Sequence, residues 1–250
     1  MMEIGAQLYT LREFCKTPAD FAETLRRVAD IGYKTVQVSG TCAYDPAWLK
    51  ERLAENGLRC VLTHTPQAEL LADAAAVAER HDVFGCRFVG LGYFPLDEEK
   101  DGCRYADFLE RYRPVAKTLK AHGKYFMYHN HDMEFCRVGK TVYLAKMAED
   151  FAPAEMGFTL DTFWVQAGGG DPAEWLSRLS DRVPCIHLKD FAYGRKMAVL
   201  GEGNLNFDRI FEKARDAHVQ YMLVEQDDCN GEDPFDCLKR SYAYLKSRGF

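Results

Sequence analysis

Four side chains that bind divalent metals occupy the same place in four short apolar segments of the sequence. The fifth residue is a histidine or a carboxylate in Tyr125–His129, Gly157–Asp161, Val183–His187 and Tyr221–Glu225. If these segments are parallel strands of one barrel, the four side chains share one layer at its carboxyl end. Two imidazoles and two carboxylates suit Mn²⁺, Co²⁺, Mg²⁺ or Zn²⁺, with positions left for substrate oxygens. Taken singly, a strand-end Asp can cap a helix and a strand-end His can bind a loop, but four at one register favour a metal site.

Eight apolar, β-rich segments alternate with amphipathic ones along the chain. They lie at 3–8, 34–38, 59–64, 87–92, 124–130, 157–161, 183–188 and 220–225. Strands that alternate with helices are typical of a parallel sheet. A doubly wound open sheet is the competing architecture, but no Gly-x-Gly-x-x-Gly sequence follows the first strand. We therefore predict α/β architecture, with residues 1–250 forming a single domain that is one closed (β/α)8 TIM barrel.

The composition limits the classes of partner and the compartment. The net charge of −6, without a strongly basic stripe, argues against nucleic acid as a partner. No apolar run is long enough to span a bilayer, and no basic-then-apolar leader opens the chain, so we expect no membrane partner and a cytoplasmic location. The nine cysteines include no Cys-x-x-Cys pair and are expected to be reduced. A homo-oligomer is possible, although the sequence reveals no interface.

The segment after the fifth strand is dense in polar groups. If His129 faces the barrel axis, His131 does too, one layer higher, because side chains alternate along a strand. His131 is therefore a candidate base. Glu134 follows in the loop, where it is a candidate to bind a substrate hydroxyl or to replace His129 as the fourth ligand. Loop solvation or helix capping is the alternative role for Glu134.

Lys189 lies on the same face of its strand as His187 and is a candidate catalytic residue. A lysine near a metal and partly desolvated would polarise a carbonyl or stabilise an enolate, and its pKa would be expected to fall. The alternative is a lysine paired with Asp190 or Glu202. Glu202 stands between two glycines, which we expect to let it approach the mouth of the barrel and contact substrate.

Four further residues are candidates to bind substrate without acting as a base or a metal ligand. Gln7 and His64 end the first and third strands and are candidates to donate to sugar hydroxyls. Trp164 would form an apolar wall, and Arg195 would meet an anionic or polyhydroxylated substrate. Core packing for the tryptophan and solvent exposure for the arginine are the alternatives. The glycine run 168–170 is expected to form a flexible loop beside the site.

With these motifs assembled, the chain resembles the xylose-isomerase-like TIM barrels of the sugar phosphate isomerase/epimerase superfamily. The resemblance rests on the motifs Tyr-His-Asn-His-Asp-x-Glu-Phe at 128–135, Leu-Asp-Thr-x-Trp at 160–164, His-Leu-Lys-Asp at 187–190, Gly-Glu-Gly-Asn at 201–204 and Val-Glu-Gln-Asp at 224–227. It implies a divalent metal held by strands 5 to 8, with Asp161, His187 and Glu225 matching the usual ligands. The usual ligand on strand 5 is a glutamate. His129 stands in its place, which leaves His129 as ligand, Glu134 as substitute, or a weakened site.

The resemblance also implies the reaction. Ketose 3-epimerases of the superfamily use two metal-bound glutamates, of which only Glu225 has a counterpart here, so a reaction with a single base becomes more attractive. We predict a divalent-metal-dependent isomerase or epimerase that binds a small polyhydroxylated carbonyl compound, such as a sugar or keto-sugar. Glu225 or His131 would remove the proton alpha to the carbonyl, giving a metal-stabilised enediolate, with Lys189 as electrostatic helper.

Three alternatives remain open at the level of sequence. The first is a dehydratase of a keto-sugar or keto-inositol on the same site. The second is a non-catalytic sugar-binding barrel that has lost its metal. The third is an endonuclease of the same superfamily acting on abasic DNA, which the acidic composition and the short loops disfavour.

Overall fold

Eight parallel strands close into a barrel. The structure, a computed structural model, describes residues 2–96 and 103–250. The strands are β1 (Glu3–Gln7), β2 (Thr35–Val38), β3 (Arg59–His64), β4 (Phe88–Leu91), β5 (Tyr125–His129), β6 (Met156–Asp161), β7 (Cys185–Leu188) and β8 (Tyr221–Val224). Each strand pairs with the next, and β8 pairs with β1 to close the barrel. The chain is thus a (β/α)8 TIM barrel, as predicted.

Helices follow the strands on the outside of the barrel. They are α1 (Pro18–Ile31), α2 (Pro46–Glu55), α3 (Gln67–Ala72), α4 (Ala74–Val83), α5 (Cys103–Ala121), α6 (Tyr143–Asp150), α7 (Thr162–Ala167), α8 (Pro172–Arg178), α9 (Phe207–Asp216) and α10 (Pro234–Ser247). Asp45, Asp171 and Asp233 each accept two main-chain N–H bonds at the start of α2, α8 and α10. The proline that follows each of them has no N–H to leave unpaired in the first turn. Among the described residues, no helix combines the length and apolarity needed to cross a membrane.

Short additional elements lie at the carboxyl end of the barrel. Two 3₁₀ helices span Leu8–Phe14 and Met133–Phe135. Two antiparallel hairpins pair Arg137–Val138 with Thr141–Val142 and Asp190–Ala192 with Lys196–Ala198. These segments follow β1, β5 and β7, so they surround the end of the barrel at which the sequence predicts the site.

The strand register brings the predicted ligands to one layer. His129 pairs with Thr159, Asp161 pairs with His187, and His187 pairs in turn with Leu223. His129 is therefore level with a residue two positions before Asp161, and Glu225 lies two positions beyond the residue that pairs with His187. A displacement of two residues keeps the side chains on the same face of the sheet. Such a stagger accompanies the strand tilt that closes a barrel. A separate apolar cluster that includes Leu62, Phe88, Met127 and Leu223 fills the barrel interior.

Candidate active site

Four buried side chains meet at the carboxyl end of the barrel. Single ligand atoms from His129, Asp161, His187 and Glu225 lie within 4.8 Å of one another. Asp161 Oδ2 is 3.3 Å from His129 Nε2 and 3.7 Å from His187 Nδ1, and His187 Nδ1 is 2.9 Å from Glu225 Oε2. Two atoms about 2.1 Å from one ion and at a right angle are about 3.0 Å apart. These three separations therefore match those of neighbouring ligands around a single ion.

The ring of His129 is oriented to present a lone pair to this cluster. Its Nδ1 lies 3.1 Å from the carbonyl oxygen of Gly92, which can only accept, so Nδ1 carries the proton. Burial lowers the pKa of His129 although Asp161 opposes this, so the ring is neutral and has one N–H. Its Nε2 therefore has no proton to donate, and two acceptors, Nε2 and the Asp161 carboxylate, face each other. A cation between the two atoms would satisfy both.

The ring of His187 is held in the same way from the other side. Its Nε2 lies 2.6 Å from Gln37 Oε1, which accepts from it, and its Nδ1 faces Glu225. His187 Nδ1 and Glu225 Oε2 lie 2.9 Å apart without the alignment of a hydrogen bond, and neither atom forms a hydrogen bond elsewhere. Burial lowers the pKa of His187, but the carboxylates of Glu225 and Asp161 raise it more strongly. The resulting pKa of His187 is about 9. A divalent ion would supply the positive charge that these carboxylates favour.

Each carboxylate uses one oxygen for the protein and leaves the other for the cluster. Asp161 Oδ1 accepts from the main-chain N–H of Trp164 and so caps α7, and Oδ2 faces the two histidines. Glu225 Oε1 accepts from Gln7 Nε2 at 3.0 Å. Capping and metal binding are thus compatible in Asp161. The four-residue donor set, with its outer atoms fixed, fits a divalent ion.

Lys189 lies inside the same cluster and is 1% exposed. Its Nζ is 3.3 Å from Asp161 Oδ2, 3.3 Å from Glu225 Oε2 and 2.7 Å from Asp227 Oδ2. The expectation that its pKa falls is wrong. Burial alone would lower the pKa of Lys189, but the three carboxylates outweigh it and raise the pKa above its ordinary value.

A pocket of about 590 Å³ opens above the cluster. Outside the cluster, four buried polar atoms of pocket-lining residues have no hydrogen-bond partner: His64 Nε2, His131 Nδ1, Trp164 Nε1 and Asp227 Oδ1. Buried polar atoms are nearly always paired, so an unpaired set facing one cavity indicates a ligand that would pair with them. Donors and acceptors in a small pocket suit a compound with several hydroxyl groups.

The imidazole rings of His131 and His64 line the pocket beside the cluster. The ring centroid of His131 lies 4.7 Å from that of His129 and 5.1 Å from that of Trp164. Burial lowers the pKa of His131 to about 3, so this ring is neutral at pH 7. The His64 ring packs against Gly92, where an added Cβ would lie 2.8 Å from His64 Nδ1. Only glycine at 92 allows this contact while its carbonyl reaches His129.

The sequence matches a family model described as xylose isomerase-like TIM barrel over residues 25–247. The chain belongs to this family. Among proteins with curated descriptions, none matches the chain significantly in sequence.

Solved structures share the xylose isomerase-like fold at low identity. A sugar phosphate isomerase/epimerase from Parabacteroides distasonis has a TM-score of 0.84 and 23% identity, covering 99% of this chain and 94% of its own. The probable 3-DHS dehydratase AsbF from Bacillus anthracis has a TM-score of 0.77 and 16% identity over 99% and 100% of the two chains. A D-allulose 3-epimerase from Methylomonas sp. has a TM-score of 0.75 and 16% identity over 99% and 98%.

Glu134 lies near the candidate site but outside the four-residue cluster and the pocket. The side chain is fully buried. Its Oε1 accepts from Tyr128 Oη at 2.6 Å, and its Oε2 accepts from the main-chain N–H of His131 at 2.7 Å. Burial raises the pKa of Glu134 to about 7. Because both oxygens are used, Glu134 fixes the position of His131 instead of binding substrate or replacing His129.

Gln7 also points away from the pocket. It is fully buried, its Oε1 accepts from the N–H of Tyr9, and its Nε2 donates to Glu225. It thus orients a predicted ligand and does not reach a substrate hydroxyl. Trp164 does line the pocket, but it brings an unpaired indole N–H as well as an apolar face.

Two loop residues predicted to bind substrate lie outside the pocket. Arg195 is engaged with Asp132 at 2.6 Å. Glu202 pairs with Arg240 at 2.9 Å and is half exposed. The glycines on either side of Glu202 serve packing, since Asp190 fills the space at Gly203 and accepts N–H bonds from the 201–205 loop.

The glycine run at 168–170 is packed rather than loose. A Cβ at Gly168 would lie 2.6 Å from Phe135, and one at Gly170 would lie 2.8 Å from the same ring. The run therefore lets the connection between α7 and α8 approach the loop after β5 closely.

Three residues that carry the site geometry have no role in the sequence analysis. Gln37 is a buried polar residue in the apolar strand β2, which is a signal in itself. Asp227 follows Glu225 by two residues, and side-chain alternation would have placed both on one face. Arg12 comes from the 3₁₀ helix after β1, whose direction no periodicity reveals.

Proposed function

We propose that this barrel is a divalent-metal-dependent isomerase or epimerase of a small sugar or keto-sugar, which removes a proton alpha to the carbonyl. One observation carries the proposal. The rings of His129 and His187 donate outward, to Gly92 and Gln37, and turn their other nitrogen toward carboxylates beneath a pocket of unpaired polar atoms. The names of the isomerase and epimerases that share the fold agree with this proposal.

The bound ion would act as a Lewis acid toward the substrate oxygens and stabilise the negative charge left when the proton departs. His131 would be the base, because its Nδ1 is unpaired and its ring lies against His129 beside the cluster. It would take the proton as an imidazolium and return it to the neighbouring carbon, which gives the isomer, whereas epimerisation would require a second group, such as Glu225, to return a proton to the opposite face of the same carbon. Glu225 is oriented by Gln7 as a ligand and is the second candidate base.

Lys189 and the unpaired pocket atoms would orient the substrate. The ammonium adds positive charge beside the reacting oxygens, although three carboxylates share it. His64 Nε2, Trp164 Nε1 and Asp227 Oδ1 would pair with hydroxyl groups and so fix the carbon skeleton over His131.

Dehydration of a keto-sugar is the second candidate function. The strand-5 position holds an imidazole, His129, where a symmetrical epimerase would hold a second carboxylate. Elimination of water needs one base at the alpha carbon, which can pass its proton on to the departing hydroxyl, and not a matched pair of bases, and a probable dehydratase shares the fold. Both functions begin with the same proton removal.

The experiment is hydrogen exchange in D₂O, followed by NMR, with Mn²⁺-, Co²⁺- or Mg²⁺-loaded protein and a panel of ketoses and inososes. The paramagnetic ions are removed before the spectra are recorded. We expect deuterium at the alpha carbon, and we expect His131→Ala to slow it about 100-fold with the metal retained. The exposed His122, changed to Ala, is the control. Exchange that survives in His131→Ala and disappears in Glu225→Gln with the metal retained would transfer the base role to Glu225. Metal-loaded protein that exchanges no member of the panel would favour the non-catalytic sugar-binding barrel.

A further inference from the structure

Arg12 lines the pocket, and three contacts hold its guanidinium in place. Its Nη1 donates to the carbonyl oxygen of Tyr9 at 3.0 Å, and its Nη2 donates to the carbonyl oxygen of Asp227 at 3.0 Å. The guanidinium also lies 4.5 Å from the centre of the Tyr9 ring. These contacts fix the group and leave N–H bonds to spare, since a guanidinium has five.

The loop after β2 completes this support. Gly40 has a φ of +68°, and a Cβ there would lie 2.7 Å from the Tyr9 ring and 3.2 Å from Arg12 Cβ. The main chain of the loop therefore packs directly on the two side chains. An arginine supported from both sides is set in position before any ligand arrives.

The charge of Arg12 has no close, buried carboxylate partner among the described residues. Its ion pair among the described residues is a 4.0 Å approach to Glu13, whose side chain is 70% exposed. Arg195, at the same end of the barrel, lies 2.6 Å from Asp132. A fixed guanidinium usually forms charge-assisted hydrogen bonds with a carboxylate. The remaining N–H groups of Arg12 are therefore available to a ligand in the pocket.

With a divalent ion bound, the remaining charges of the site would balance one another. Asp161, Glu225 and Asp227 supply three negative charges, and Lys189 contacts all of them. A divalent ion and the ammonium together offset these three carboxylates. Arg12 then adds one positive charge in excess within the pocket.

We infer that the substrate carries a single anionic group, a carboxylate, that pairs with Arg12 while its hydroxyl and carbonyl oxygens face the cluster. This inference rests on the proposed function and names its substrate class: a polyhydroxylated keto acid or ring carboxylate in place of a neutral sugar. A phosphate ester shares the anionic chemistry, but at pH 7 it brings up to two charges to a pocket with one in excess. Arg12 is thus the specificity-determining residue.

The test uses the Mn²⁺-loaded protein and three unreactive probes that share a six-carbon polyhydroxylated chain: D-glucitol, D-gluconate and D-glucitol 6-phosphate. Calorimetry should show gluconate binding about tenfold more tightly than glucitol, in line with one charge-assisted hydrogen bond. Arg12→Gln should abolish this preference, and Arg12→Lys should retain part of it. Arg209→Gln, which removes an exposed arginine paired with Asp171, is the control.

Several results would contradict this inference, and each would contradict a different part of it. A gluconate preference that persists in Arg12→Gln would show that the carboxylate binds the metal or another group, and would overturn the inference. Tightest binding by glucitol 6-phosphate would overturn the choice of carboxylate. Elemental analysis of the same samples separates the two proposals. Wild type that holds Mn²⁺ but binds glucitol and gluconate equally refutes the anionic substrate alone, whereas wild type without Mn²⁺ refutes the proposed function.

Discussion

Gln37 and His187 form a 2.6 Å hydrogen bond across the barrel interior, from β2 to β7. The carbonyl oxygen of the Gln37 amide accepts from Nε2 of the imidazole, which leaves Nδ1 toward the carboxylates of the cluster. Such outer bonds set the tautomer of metal-binding histidines and raise their basicity. The pairing therefore gives a buried glutamine in an apolar strand a chemical purpose.

Removing this acceptor should weaken the metal site without removing a ligand. We expect Gln37→Leu to lower Mn²⁺ affinity about 10- to 100-fold, as measured by calorimetry. Gln220→Leu changes an exposed glutamine near the other end of the barrel and should leave affinity unchanged. Equal affinity in Gln37→Leu and wild type would mean that the bond does not orient His187 for a metal.

Lys189 should couple stability to metal binding. Changing Lys189 to Met removes the one cation that contacts all three carboxylates and leaves His187 to offset them, and we expect a loss of about 3–5 kcal/mol in the free energy of unfolding of the metal-free protein. Added Mn²⁺ should recover part of that loss, because the ion replaces the missing charge. Urea unfolding with and without Mn²⁺ measures both quantities. Lys213→Met, at a lysine whose partners are exposed carboxylates, is the control. Identical losses in both conditions would contradict the coupling.

Glu134 should affect activity through His131. Glu134→Ala leaves Tyr128 Oη and the His131 N–H unpaired, so we expect about 2 kcal/mol lower unfolding free energy and about 10- to 100-fold slower hydrogen exchange. Glu134→Gln keeps an acceptor for the N–H and a donor for the tyrosine oxygen, so it should restore most of both. A glutamine variant as impaired as the alanine variant would point to a direct chemical role for the carboxylate.

His81 should make stability depend on pH. Its Nδ1 lies 2.7 Å from the Val77 carbonyl oxygen, and its Nε2 lies 2.8 Å from Thr63 Oγ1. Burial lowers the pKa of His81 to about 4. An unfolded histidine has a pKa of about 6.5, so the unfolded chain binds the proton first. The contribution is fully present above pH 6.5, and about 3 kcal/mol of it is lost as pH falls from 6.5 to 4.

The comparison of wild type with His81→Gln isolates this group from the other titrations. Urea unfolding of both proteins at pH 7.5 and at pH 4.5 gives the measurement. We expect the wild type to lose more stability than the variant on acidification. Parallel losses would show that His81 is not held neutral by the fold.

The strands were predictable because burial imposes apolar runs of fixed length on them. The largest shift in a strand boundary is at β7, expected from 183 and observed from Cys185. The four candidate ligands were predictable for the same reason, since the end of a parallel strand fixes both their place and their direction.

The loop residues could not be assigned in this way. Arg195 and Glu202 were expected in the pocket, but Asp132 and Arg240 engage them elsewhere, and these partners are distant in sequence. The pKa of Lys189 was predicted in the wrong direction because its three carboxylate partners come from other segments. Such pairings exist only after the barrel has closed.

The most direct test of the account is the Mn²⁺ content of wild type, His129→Ala and Asp161→Ala after dialysis against Mn²⁺ and removal of free ion. We predict about one ion per chain in wild type and strongly reduced content in both variants, with His122→Ala unchanged. Wild type without bound metal, or full occupancy in His129→Ala, would contradict a site built from all four residues.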